Sequence, residues 1–339
     1  MTRADAPDPA GAGLIVGRRR LVTSVMLAPV LAGAATTPAT SAPAPAAGVR
    51  PLGCAPAVKP VPTTAEHWGG VAESLERRGE MLHELYYHVP FPRGDLRVMC
   101  RGVRVSPALA LGSHVSFVHY DDDSTMVMGD LVATEGELQK LSDALRAHGF
   151  TQTAIHKHLP AHSPEVWWTH AHAHGDDPAE LARALRAVLR HTGTPPPAPA
   201  PAHRAQALDL DIAGIEEALG TRGISGEGVH TCTFNRRETI TDMGRVLPPG
   251  LGATTAFNFQ PLGGGRAALS GDFVMTAEEV PDALGALRRG GIDLVELHNH
   301  GLTDEPRLFF THFWGVDDAV KLARALRPAL DATNVLPSR

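Results

Sequence analysis

Apolar residues recur along this chain in two alternating rhythms. Helical spacing runs through Leu138, Leu141 and Leu145, then through ELARALRAVL from Glu180 and KLARALRPAL from Lys321. Thr134 and Thr276, each followed by acidic residues, read as helix N-caps, and a glycine stops each helix. Strands are predicted at Gln152 to His158 and Leu294 to His300, and, beyond a proline-bearing loop, at Val166 to His172 and Leu308 to Trp314. Earlier apolar runs, DLRVMCRGVRV, HVSFVHY and MVMGDLV, read as antiparallel strands.

The same order of elements occurs twice. Met128 to Phe150 aligns without a gap with Ser270 to Ile292, and Asp177 to Thr192 matches Asp318 to Thr333. Further upstream FPRGD at Phe91 resembles FNRRE at Phe234. The expected architecture is α+β: two homologous repeats, each an antiparallel sheet with helices packed on one face, forming a pseudo-dimer. The repeats are placed at residues 65–192 and 208–334, with a proline-rich linker at 193–207.

Between the two predicted helices of each repeat lies the chemistry. IHKHLPAHSPEVWWTHAHAHG from Ile155 aligns with LHNHGLTDEPRLFFTHFWGVD from Leu297, so His156, His158 and His170 fall on His298, His300 and His312. Side chains alternate along a strand, so the two histidines of each HxH point the same way. With the loop centred near Ser163, His170 is expected opposite His156, and His312 opposite His298, at the ~5 Å of a cross-strand pair. Three imidazoles per hairpin would hold a divalent transition metal (Zn, Fe, Mn or Cu) and leave positions open for water or substrate. Glu296 shares the second hairpin's face, and Glu305 is the candidate fourth ligand or proton-transfer group. The HxHxxxxE spacing with a later His is similar to the cupin metal motif, a likeness of ligand geometry only, because helices interrupt the strands. A polar or pH-responsive sheet face is the competing explanation of the histidines.

Other repeated residues have plainer readings. His172 and His174 extend the histidine face either as extra ligands or as an incidental edge, and His162 belongs to the loop. Asp130 and Asp272 read as residues of a strand-end turn, with orientation of an imidazole as the alternative. Arg93 and Arg236 are expected to pair with Asp95 and Glu238 rather than bind an anionic substrate, and the aromatics Trp167, Trp168, Phe309 and Phe310 are expected in the core, with those sharing the histidine face as the alternative wall of a pocket.

Composition narrows the classes. A 43% hydrophobic and 20% charged chain of 339 residues is long enough for two cores. The net charge of −6 argues against nucleic acid as a partner. No phosphate loop, dinucleotide fingerprint or serine elbow is present. Residues 1–50 read as a signal peptide and an Ala/Pro-rich segment. Arg18, Arg19 and Arg20 precede a short apolar run, as in twin-arginine export. Lipidation at Cys54 is not expected, nor a transmembrane segment once the signal is removed. Cys100 and Cys232 are read as buried thiols or an extracytoplasmic disulfide.

GDFV, the EV…LR..GI helix, LHNH….EPRLFFTHFW and the closing DDAVKLARALRPALD resemble the LppY/LpqO-like family of exported bacterial proteins. The likeness runs from about Trp68 to Asn334. It implies export and a fold built from two copies of a domain of unknown function, with no settled activity to carry over. The second repeat keeps the family pattern of His298, His300, Glu305 and His312. The first has Lys157 for the asparagine and Ser163 for the glutamate, which marks it as specialised or degraded. Together these readings point to an exported metal-binding protein, a metalloenzyme for hydrolysis or oxidation of a small or cell-envelope substrate. The alternative is an envelope protein that binds metal or ligand without turnover.

Overall fold

Period-two alternation dominates each repeat and builds one antiparallel sheet from each. The computed structural model describes residues 57–197 and 207–338; the signal-peptide reading and Cys54 lie outside them. In the first repeat the strands Glu80–Leu82, Tyr86–Pro92, Gly112–His119, Thr125–Thr134, Val166–Gly175 and Thr151–His156 are neighbours in that order. The second repeat repeats the pattern with Ile224–Gly226, Val229–Arg236, Thr254–Gly263, Arg266–Thr276, Leu308–Asp318 and Asp293–His298, and Val335–Pro337 adds beside Val229–Arg236. The DLRVMCRGVRV run forms antiparallel strands as expected, but outside the main sheet. Met99–Cys100 and Val103–Arg104 form a small separate sheet with His162–Ser163, on the loop that bears the first histidine pair.

One face of each sheet is covered by helices. Val115, Phe117, Val127 and Leu131 pack under Leu138, Leu141, Leu145 and Leu185 in the first repeat. Phe257, Phe259, Leu269 and Phe313 pack under Leu287, Leu322 and Leu326 in the second. The opposite faces meet each other: Trp168, Val132 and Val166 share a cluster with Trp314, Val229 and Ala268. The order is therefore helix, sheet, sheet, helix, and strand Val166–Gly175 is buried on both sides. The polar residues on the inner faces are enclosed with it. No helix among the described residues is long and apolar enough to cross a membrane. Cys100 and Cys232 are free and buried, so the disulfide alternative is not realised.

Helix starts differ between the repeats. Thr134 caps helix Glu135–Ala147, and the Glu137 carboxylate accepts its backbone N–H at 2.8 Å. Thr276 makes the same bond to Glu279, but helix Val280–Arg289 begins only after that glutamate, with Pro281 in its first turn. These glutamates also hold the buried arginines. The Arg93 guanidinium, fully buried, donates to Asp95, Glu137 and the Val132 carbonyl, and Arg236 does the same with Glu238, Glu279 and Val274. Arg93→Ala would leave Glu137 and Asp95 without their cation and is expected to cost about 3–5 kcal/mol, read as a lower urea midpoint. A change under ~1 kcal/mol would show that the pairs are peripheral.

Candidate metal centre between the repeats

Cross-strand register sets the inner faces. Asp130 stands between His114 on one neighbouring strand and His170 on the other, while Asp272 stands between Ala256 and His312. Both aspartates lie within long strands, which corrects the strand-end reading. The glycine before each is required by close approach: a Cβ on Gly129 would lie 2.3 Å from the His114 carbonyl oxygen, and one on Gly271 2.0 Å from that of Ala256.

The histidine hairpins form, but in a different register. His156 faces Trp168, and His170 faces Ala154; His298 faces Phe310. The strands also end at His156 and His298, so His158 and His300 sit just beyond them. Bulges between Gln152 and Ala154 and between Leu294 and Leu297 accompany the change. Because the slip is two residues, each imidazole keeps its face.

The expectation of one triad per hairpin is corrected. The sheets bring all six imidazoles into one cluster, and the nearest partners come from opposite repeats. The His158 ring lies 3.7 Å from that of His312, and His170 lies 3.9 Å from His300. His156 and His298 stack at the centre, 4.1 Å apart. The groups whose nitrogens lie within 4.8 Å of one another are His156, His158, His312 and His156, His170, His298. Each contains residues of both repeats. Trp168 stacks on His158 and Phe310 on His300, which fixes the second imidazole of each pair and gives these aromatics a role at the site.

Several polar atoms here are buried without a hydrogen-bond partner: His156 Nδ1, His170 Nε2, His312 Nε2, both nitrogens of His298, and one oxygen each of Asp130 and Asp272. Each such group ordinarily costs about 1–3 kcal/mol. Their concentration at one point suits a bound cation. Burial, reinforced by neighbouring imidazoles, holds His156, His170, His298 and His300 well below the usual histidine range and His312 at about 4. They are therefore neutral at pH 7, the form that ligates metals.

A cavity of about 250 Å³ adjoins the cluster. Its wall includes His158, His170, His300, His312, Asp130 and Asp272, with Leu109, Met128 and Leu251 on the apolar side. His158 Nε2 lies 3.0 Å from Asp130, and His300 Nε2 3.3 Å from Asp272. Burial raises Asp272 to about 7. His156 and His298 stand behind the wall and do not line the cavity.

Glu305, the candidate ligand or base, is elsewhere. It is exposed, and its backbone bridges to Thr241, as Ser163 does to Met99 in the first repeat. Glu296 lies in an outer groove with Lys157 and Glu165. Lys157 pairs with Glu165, whereas Asn299 at the matching position donates to the Thr153 carbonyl of the other repeat. His172 is buried and bonded to Asp242 at 3.1 Å, and His162 clips its own loop through Pro160 and Val166. His114, which lines the cavity from its exposed position, was not anticipated. Its signal was the alternation in HVSFVHY, where His114 and Ser116 oppose Val115 and Phe117.

Two tandem segments, residues 69–191 and 213–332, match one family model, and the chain belongs to that family, described as Domain of Unknown Function (DUF1259). No curated protein matches the chain. Among solved structures it is similar to a trimeric bacterial microcompartment shell protein, PduB, at 11% identity over 73% of this chain and 86% of that one, with a TM-score of 0.18. EtuB from Clostridium kluyveri matches at 10% identity over 75% and 91%, with a TM-score of 0.17. Likeness this slight bears on neither fold nor function.

Proposed function

We propose that this is an exported metalloprotein of LppY/LpqO-like type whose two repeats act as a pseudo-dimer and hold a divalent transition metal between them. The single observation behind this reading is the set of buried, unpartnered imidazole nitrogens contributed by both repeats beside a cavity. The ligands are drawn from His156, His158, His170, His298, His300 and His312. The cavity takes a small substrate, and bound metal would supply Lewis acidity for its hydrolysis by water or, if redox-active, a site for its oxidation by O2. Asp272, rather than Glu305, is the carboxyl placed to exchange a proton with that substrate, because it lies in the cavity wall. Twin-arginine export, which carries folded proteins, agrees with a metal inserted before secretion.

A non-catalytic binding role is the second reading, favoured because His156 and His298 lie behind the cavity wall. The test is elemental analysis of protein purified without a His tag, followed by ester, amide and oxygen-consumption assays with and without chelator. Metal-dependent turnover that Asp272→Asn abolishes with metal retained supports the enzyme. Retained metal with no turnover of any probe supports the binder, and absence of metal removes both.

A further inference from the structure

We infer that the cluster is a two-ion centre, with one divalent ion on each side of the His156–His298 stack. This rests on the metal-binding reading and adds number and arrangement to it. The cluster contains two close cross-repeat pairs, His158 with His312 and His300 with His170, at 3.7 and 3.9 Å between ring centres. Exchanging the repeats turns one pair into the other, because His158 corresponds to His300 and His312 to His170. His156 and His298, which also correspond, lie between the pairs and belong to neither.

Valence points the same way. A tetrahedral ion takes four ligands, so a single ion satisfied by imidazoles alone would strand two of the six in a buried site. The central ring is suited to serve both sides. His156 turns Nε2 toward His158, 3.0 Å away, and leaves Nδ1 buried without a partner. A neutral imidazole has one in-plane lone pair, so His156 would serve both ions as imidazolate, its N–H proton passing to solvent as the second ion binds. His156 is the residue common to both groups of converging nitrogens, one with His158 and His312, the other with His170 and His298. Tetrahedral ligation with metal–nitrogen bonds of ~2.0–2.1 Å requires these nitrogens, which lie within 4.8 Å of one another, to close to about 3.3 Å.

Charge is distributed in the same twofold manner. Asp130 lies beside His158 and opposite His170, and Asp272 beside His300 and opposite His312, so each carboxylate borders both pairs. Two dications meet two carboxylates, and the remaining positive charge faces the cavity. None of the residues lining that cavity is a Lys or Arg, so nothing in its wall adds to that charge.

The experiment is metal stoichiometry of the full, untagged chain loaded with Zn(II) alone, dialysed and measured by mass spectrometry of the element against protein concentration. Two ions per chain are expected, falling to one in His158→Ala and to one in His300→Ala. One ion per wild-type chain, or two retained in both variants, overturns the inference while leaving the metal-binding reading intact. No ion overturns both. The wild-type count decides the matter even if a variant fails to fold.

Discussion

Chains carrying His156→Ala are expected to lose essentially all bound metal while His162→Ala chains keep theirs. His156 is fully buried and stacks on His170 at 4.7 Å and on His298 at 4.1 Å. It is the one residue present in both groups of converging nitrogens, so its removal takes a ligand from each. A metal left with two imidazoles in a buried site is held far more weakly than one with three. The His162 side chain bonds only within its own loop, so its loss tests general damage to the hairpin. Elemental analysis after dialysis, with circular dichroism to establish folding, separates the outcomes. Unchanged metal in a folded His156→Ala chain would show that the cluster is not the site.

Removing the metal is expected to lower stability sharply and to make it sensitive to acid. A ligand at a thousandfold its dissociation constant adds about 4 kcal/mol through linkage. At an unfolding entropy of ~2.1 cal/mol/K per residue, that corresponds to roughly 6–7 °C in thermal midpoint for a protein of this size. The acid dependence of the metal-free protein follows from its histidines. In the folded state they are held below their ordinary 6.5 by burial, His312 at about 4, whereas the unfolded chain takes up protons near 6.5. Depressed values mean that the stability is fully present above about pH 6.5 and is lost as pH falls toward 4. Protons compete for the same nitrogens when metal is bound, so metal release falls in that window too. Differential scanning fluorimetry from pH 8 to about 4, with and without chelator, measures both effects. A chelator-independent midpoint would contradict the linkage, and a flat pH profile of the stripped protein would contradict the burial of neutral imidazoles.

Local signals made the elements and the repeat legible. Period-two runs located the strands of both hairpins, and the leucine spacing located the helices over them, since one face of each had to meet a core. The alternation of HxH put each histidine pair on one face, and that survived a register slip of two residues. What the sequence did not disclose is non-local. Nothing in either repeat states that its polar sheet face will close on the other's, so the spacing alone points to triads within hairpins instead of across them. The bulges that move His156 opposite Trp168 are local departures from regular pairing that alternation does not encode. Glu305 followed its hairpin in sequence but was drawn off by a backbone bridge to Thr241. A Gly-Asp pair ordinarily marks a turn, whereas Asp130 and Asp272 lie within long strands. Here the glycine admits a neighbouring strand's carbonyl, and the aspartate beside it reaches the imidazoles.

The most direct test of shared ligation is anomalous-difference density from crystals of the zinc-loaded full chain, collected on both sides of the zinc edge. Peaks bonded to at least one histidine from each repeat, with His156 or His298 among the ligands, are the predicted result. A peak held by histidines of a single repeat, or none within bonding distance of the six imidazoles, would contradict the account.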